Sequence, residues 1–239
     1  MIPKFLILCL FCLASSVLSQ SHDLVYCGSW RLSVETNNAG NWTTIPERCY
    51  EYVKEYMNGD RYLSDISVVA ENALKYAKMV HIVGDGKDAW IFDVDDTLLS
   101  FLRGYQTYGF GAQAQNKKGF RRWALRGKVP ALQSCLRLYK EIQRLGFSIF
   151  ILTGRPETLR NVTESNLWYA GYDHWQRLLL RNSTDLSKSA TEYKSEKRKE
   201  LQDEGYRIHG SSGDQWSDLR GFAMAERSFK VPNPTYAVT

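Results

Sequence analysis

The sequence predicts an α/β fold, a parallel sheet flanked by helices, and three observations lead there. Short apolar runs at residues 89–92, 147–152, 178–181 and 207–210 have the length and composition of buried strands. Each is followed by a polar cluster and then by helical periodicity, the order expected of strands joined by crossover helices. Each polar cluster falls where a strand would end, and open α/β sheets bind ligands at the carboxyl ends of their strands.

The chain of 239 residues is long enough for one sizeable core, with or without a small accessory lobe. Its 44% hydrophobic and 24% charged residues are those of an ordinary globular protein. The net charge of +5 is mild, and the basic residues are scattered apart from denser patches at 117–126 and 194–199. Such a pattern does not favour a nucleic-acid binder.

Residues 1–19 read as a secretory signal: Lys4 gives the positive start, residues 5–13 an apolar core, and Val17-Leu18-Ser19 the cleavage positions. The apolar core is too short for a membrane helix, and no later stretch reaches spanning length. Residues 20–239 then form a single domain, routed to the secretory pathway and onward to the vacuole or the extracellular space. Three cysteines survive signal removal. Cys27 and Cys49 share the N-terminal segment and are the expected disulfide, and Cys135 falls in an apolar helical pattern as a buried thiol. Sequons at Asn41, Asn161 and Asn182 fit that compartment.

Along the chain, residues 20–48 show no sustained periodicity and are expected to be irregular, packed on the body by Trp30 and Trp42. From about Arg48 to Met79 the pattern is helical, broken into two helices at Asn58-Gly59-Asp60. Gly84-Asp85-Gly86-Lys87-Asp88 is a turn into the first strand. Residues 104–119, rich in glycine and aromatics, read as a long binding loop. A short helix is expected near residues 120–123. Another runs from Pro130 to about Leu145, stopped by Gly146. A helix is expected from about Glu157 and one over residues 192–204, stopped by Gly205.

The chemistry lies in the four strand-end clusters. Asp93-Val94-Asp95-Asp96-Thr97 follows the first apolar run. Asp93 and Asp95 are two apart, so on an extended backbone both carboxylates face one way. Such a pair divides labour: one stays ionised as nucleophile or metal ligand, and the other serves as general acid and base. A calcium loop of the EF-hand type is excluded, because its sixth and twelfth positions hold Leu98 and Gly104. Thr153-Gly154 offers a hydroxyl and an open amide at a helix start, suited to an anion. Lys194 can neutralise a phosphate, and Asp214 and Asp218 add oxygen ligands suited to Mg²⁺.

Together these clusters resemble the motifs of the haloacid dehalogenase-like (HAD) phosphatases: Asp93 to Thr97 the first, Leu152-Thr153-Gly154-Arg155 the second, Lys194 the third, and Gly213-Asp214 to Asp218 the acidic fourth. Tyr193 to Arg198, Ile208-His209-Gly210, Gly213 to Asp218 and Phe229 to Pro234 further resemble the plant acid phosphatase and vegetative storage protein group. The resemblance covers roughly residues 45–236. It implies a Rossmann-like sheet, with a small cap inserted after the first motif and an N-terminal helical segment. It implies that Asp93 attacks phosphorus and that Asp95 protonates the leaving alcohol and then activates water. Mg²⁺ would be held by the Asp93 carboxylate, the Asp95 backbone carbonyl and Asp214, with Asp218 as a ligand or just behind one. Thr153, Gly154 and Lys194 would grip the phosphoryl oxygens, with Lys197 on the same helix as the alternative lysine.

Two function classes stay open on the sequence. One is a Mg²⁺-dependent acid phosphatase acting on small phosphate monoesters. The other is a vegetative storage protein with weak or incidental activity. Some members of the group lack the nucleophilic aspartate, whereas this chain keeps the whole motif set. Transfer to an alcohol acceptor would use the same intermediate. No nucleic acid or membrane span is implied, and a homodimer is allowed.

Overall fold

The computed structural model describes residues 22–110 and 117–237. The signal expected over residues 1–19 lies outside them. Strands β1 (Asp88–Phe92), β2 (Ser148–Pro156), β3 (Arg177–Arg181), β4 (Arg207–Gly213) and β5 (Arg227–Lys230) form one parallel sheet. Their order is β3-β2-β1-β4-β5. The chain steps outward from β1 to β3, then crosses back to place β4 on the other side of β1. That reversal opens a crevice at the carboxyl ends of β1 and β4, where a sheet of this kind binds its ligand.

The strands are apolar on both faces because both faces are covered. Trp90, Phe92, Ile149 and Ile151 point into the larger core, and Ala89, Ile91, Phe150 and Leu152 into a smaller one. Helices α3 (Asp60–Ala77) and α6 (Gln133–Arg144) pack over the larger core, with α7 (Arg160–Tyr169) contributing Leu167. Helix α8 (Ala190–Asp203) covers the smaller core through Tyr193 and Leu201. Trp90 is fully buried, stacks on Phe229 and donates its indole N–H to Ser212 Oγ at 3.1 Å. It crosses β4 at Gly210, where a Cβ would stand 2.4 Å from the indole ring, so only glycine admits it.

The break expected at Gly59 separates α2 (Tyr50–Asn58) from α3. Two expectations fail. Residues 22–35 are helical (α1), not irregular. The inward stripe of α1 is Cys27, Trp30, Arg31 and Val34, at helical spacing, but it is short and Arg31 interrupts it. Arg31 bonds Asp65, and Cys27 pairs with Cys49, so the stripe escaped an apolar count. The second failure is the insert. Residues 102–108 form α4 (Leu102–Tyr108), and α5 (Lys117–Ala124) follows, while residues 111–116 lie outside those described. Gly104 suggested a loop but sits within α4, because a Cβ there would meet the Phe120 and Trp123 rings at 2.7 Å. Strand β5 was not foreseen: it is four residues long, on the edge, and buries Phe229 alone.

The disulfide Cys27–Cys49, with a Cα–Cα distance of 5.3 Å, pins α1 beside α2. Closing a loop with a sequence separation of 22 contributes about 3 kcal/mol on a chain-entropy basis. A Cys27→Ala/Cys49→Ala variant is therefore expected to melt roughly 6–12 °C below wild type by calorimetry. An unchanged melting temperature would show that the bridge only decorates a segment already held by packing.

Candidate active site

Strand β1 hands the chain directly to Asp93, whose backbone N–H donates to Ser212 O at 3.0 Å and so locks it beside β4. The backbone then coils tightly. The amides of Leu98 and Leu99 both donate to Val94 O, and the Asp96 amide donates to Leu99 O. Asp96 takes φ of 55°, a left-handed conformation that aspartate tolerates better than most residues. The coil buries Asp96. Its buried carboxylate accepts from the Phe101 amide at 3.1 Å, the Tyr105 hydroxyl and Asn233 Nδ2 at 3.4 Å. Asp96 thus braces the loop and anchors α4 to it.

Lys194 reaches in from α8, fully enclosed. Its Nζ donates to Asp93 Oδ1 at 2.6 Å and to Asp218 Oδ1. Lys197, the other candidate, pairs instead with Glu200 at 2.8 Å. From β4 the chain passes Gly213 and Asp214 into the short helix α9 (Trp216–Leu219), which carries Asp218. Asp218 folds back over the strand and accepts from the Gln215 amide at 2.9 Å. A Cβ on Gly213 would lie 2.4 Å from that of Asp218, so glycine is what lets it return. Asp214 accepts from Asn233 Nδ2 at 2.7 Å and Gln215 Nε2 at 2.8 Å, and Thr97 Oγ1 stands 3.5 Å away.

Asp93, Asp214 and Asp218 form a buried triad with carboxylate oxygens within 4.8 Å of one another. The Asp95 side chain is not in it. Arg155 takes Asp95 by both oxygens, at 3.1 Å from Nε to each and 2.6 Å from Nη2 to Oδ1. Arg155 also donates to Thr163 Oγ1 at 2.9 Å, which fixes the guanidinium plane. Thr153 is buried at the same strand end, and its hydroxyl accepts from the Arg155 amide at 3.3 Å. Gly154 is exposed, with open space where a Cβ would be. The pair was expected at a helix start, but it lies within β2, and α7 begins only at Arg160 after a turn of 3₁₀ helix.

The electrostatics follow from three enclosed carboxylates sharing one ammonium. Burial, with repulsion from Asp218 and Asp214, pushes Asp93 well above the carboxylate range against the pull of Lys194. Asp214 rises to about 7 through burial, then through Asp218 and Asp96. Asp96 also rises to about 7 through burial, despite its hydrogen bonds from Tyr105 and Phe101. Burial works against the charge on Lys194, but Asp218 and Asp93 more than offset it and keep the ammonium charged. A hard divalent cation fits this donor set: the triad supplies only oxygen, and its surplus is negative.

Beside the triad, Asp95, Asp96, Phe101, Tyr105, Phe120 and Tyr236 line a cavity of about 310 Å³. The ring of Phe120, on α5, stacks on those of Phe101 and Tyr105, so the insert after the first motif forms one wall. Sequence reasoning gave no role to Arg155, Tyr105, Asn233 or Tyr236. Arg155 had a usable signal, a cation immediately after a strand-end Thr-Gly. Asn233 had none beyond its place between two prolines.

A model of the HAD superfamily, subfamily IIIB (acid phosphatase), matches residues 14–239. The chain belongs to that family. Acid phosphatase 1 of Solanum lycopersicum is 51% identical over 219 residues, covering 92% of this chain and 86% of that one. Vegetative storage protein 2 of Arabidopsis thaliana is 40% identical, covering 89% and 80%. Stem 28 kDa glycoprotein of Glycine max is 41% identical, covering 90% and 84%. The crystal structure of the class C acid phosphatase from Bacillus anthracis with tungstate bound shares the fold, with a TM-score of 0.60 at 17% identity over 79% of this chain and 85% of that one. The fold is HAD-like, and the chain is an acid phosphatase by family. HAD phosphatases generally use a divalent metal, and the aspartate triad is a donor set for one.

Asp214 and Asp96 have folded-state values near 7, above the unfolded aspartate value of about 3.9. The folded state then binds more protons than the unfolded one, so stability falls as pH rises from about 4 to about 7 and levels off above that. Metal-free protein in EDTA is expected to melt roughly 5–10 °C higher at pH 5 than at pH 8. Asp214→Asn should narrow that gap, and a wild-type gap of opposite sign would contradict this electrostatic reading.

Proposed function

We propose that this protein hydrolyses small phosphate monoesters through a phosphoryl group carried on Asp93, with Asp95 as proton carrier and Mg²⁺ as the ion. The observation that supports it most is the placement of Asp93: enclosed at a strand end, 2.6 Å from a buried ammonium and beside a cavity that reaches Asp95. The Asp93 carboxylate attacks phosphorus, and the bond from phosphorus to the ester oxygen breaks. Asp95 gives its proton to that oxygen as the alcohol departs. It then takes a proton from water, which attacks the same phosphorus, breaks the bond to Asp93 and releases inorganic phosphate. Lys194, the Thr153 hydroxyl and the Gly154 amide bind the phosphoryl oxygens.

Asp93, Asp214, Asp218 and the Asp95 backbone carbonyl would hold Mg²⁺. When bound, the ion offsets the repulsion between a carboxylate nucleophile and an anionic phosphate. Arg155 has a part here. It holds Asp95 by both oxygens, so the Asp95 side chain can swing toward the leaving group only when that grip loosens. An arriving phosphoryl group offers the guanidinium oxygens of its own, and Arg155 then exchanges Asp95 for substrate.

A secretory or vacuolar location accords with relatives named as a stem glycoprotein and vegetative storage proteins. The sequons at Asn41, Asn161 and Asn182 each present an exposed asparagine, and among the described residues no helix is long and apolar enough to cross a membrane. The storage proteins at about 40% identity also support a second reading, a nitrogen reserve with incidental activity. Tissue abundance measured against specific activity separates the two.

Purified protein assayed with an aryl phosphate and Mg²⁺ at mildly acid pH is expected to turn over. Asp93→Asn should lose at least about a thousandfold. Asp95→Asn should lose about 10²–10⁴-fold. Wild-type turnover no greater than that of Asp93→Asn, at every pH tried and with metal supplied, would sink the enzyme reading.

A further inference from the structure

Arg198 lies one helical turn beyond Lys194 on α8, so the two side chains stand on one face of the helix. Lys194 takes the Asp218 carboxylate, and Arg198 takes the Asp218 backbone. Arg198 is 1% exposed, yet among the described residues no carboxylate lies within bonding distance of its guanidinium. It donates instead to a set of carbonyls from one loop: Nη1 to Asp218 O at 2.9 Å, Nη2 to Arg220 O at 2.6 Å and to Phe222 O at 3.2 Å, and Nε to Ala223 O at 3.1 Å. Ser195 completes the fastening. Its Oγ accepts from Arg198 Nη2 at 3.0 Å and from the Phe222 amide at 3.3 Å.

A buried cation that spends its donors on backbone carbonyls is costly unless those bonds hold something in place. The loop it holds is otherwise at the surface: Arg220, Gly221 and Phe222 are all exposed. Phe222, the apolar side chain among residues 220–222, stays 51% exposed. The residue at its start, Asp218, belongs to the acidic triad.

We propose that Arg198 is a positioning residue for the divalent-cation centre. By gathering the carbonyls of residues 218–223 it fixes where the Asp218 carboxylate stands relative to Asp93 and Asp214. It does so without touching ion, phosphate or leaving group. This inference rests on the reading of the triad as the metal centre. Groups behind the ligands of metal sites typically account for 10–100-fold in affinity.

The test is calorimetric titration of the whole protein with MgCl₂ alone, alongside steady-state kinetics on an aryl phosphate. Arg198→Met is expected to weaken Mg²⁺ binding 10–100-fold. Its kcat at saturating Mg²⁺ should return to within about threefold of wild type with KM for the ester unchanged, since the chemical groups are intact. Should Arg198→Met fail to fold, Arg198→Lys and Ser195→Ala decide the matter on the same measurement. Each removes part of the fastening and should weaken Mg²⁺ binding to a smaller degree. Wild-type Mg²⁺ affinity in a folded Arg198 variant would overturn the inference, as would a loss of kcat that excess Mg²⁺ does not recover. Asp214→Asn run in parallel separates the two levels. If it binds Mg²⁺ as tightly as wild type, or if wild type binds none, the triad reading falls and this inference with it.

Discussion

One buried ammonium among three buried carboxylates is the interaction on which the rest of this structure depends. Lys194 sits at contact distance from both Asp93 and Asp218, and Asp214 closes the group. Four segments meet there: the end of β1, the end of β4, the start of α9 and the first turns of α8. Removing Lys194 would leave the buried carboxylates uncompensated, at a cost of about 3–5 kcal/mol. The sheet order makes the meeting possible, because β4 returns to lie against β1 and brings Asp214 beside Asp93. Small residues make it fit. Gly213 yields room to Asp218, and Gly210 yields room to Trp90 in the layer below.

Around this charged centre the chain builds two kinds of support. One is polar and backbone-directed. Arg198 ties down the loop after α9, Asn233 bridges Asp214 and Asp96, and Asp96 braces its own turn in a left-handed conformation. Backbone held in that region by a non-glycine residue stores strain that neighbouring bonds must maintain. The other support is aromatic. Phe101, Tyr105 and Phe120 join α4 and α5 into a wall, and Tyr105 links that wall to Asp96. The cavity beside Asp95 therefore shares a residue with the brace behind the Asp93–Thr97 loop.

Much of this was legible in the sequence for physical reasons. Strands buried on both faces leave continuous apolar runs, and the clusters at their ends stood out as polar residues where chain geometry permits exposure. Glycines at φ > 0 marked the ends of helices faithfully, as at Gly146 and Gly205. What escaped were features whose meaning comes from a distant partner. Gly104 read as a loop residue because the rings of Phe120 and Trp123 that demand it lie on another helix. Helix α1 escaped because its apolar stripe is short and is interrupted by Arg31, which bonds Asp65, while Cys27 is held by a disulfide. Arg155 gave no local sign of Asp95, which it grips across a sequence separation of 60, and Asn233 gave none of the two carboxylates it joins.

The claim that ties these features together is that Asp93 carries the phosphoryl group. Its most direct test is to trap that species. The Asp95→Asn variant lacks the proton carrier for the second half of the reaction, so phosphorylated protein should accumulate. With Mg²⁺ and an activated, ³²P-labelled aryl phosphate, acid quenching and peptide mapping should place the label on the peptide containing Asp93, and Asp93→Asn/Asp95→Asn should carry none. Label on any other residue, or steady turnover by wild type with no acid-stable label in either protein, would contradict it.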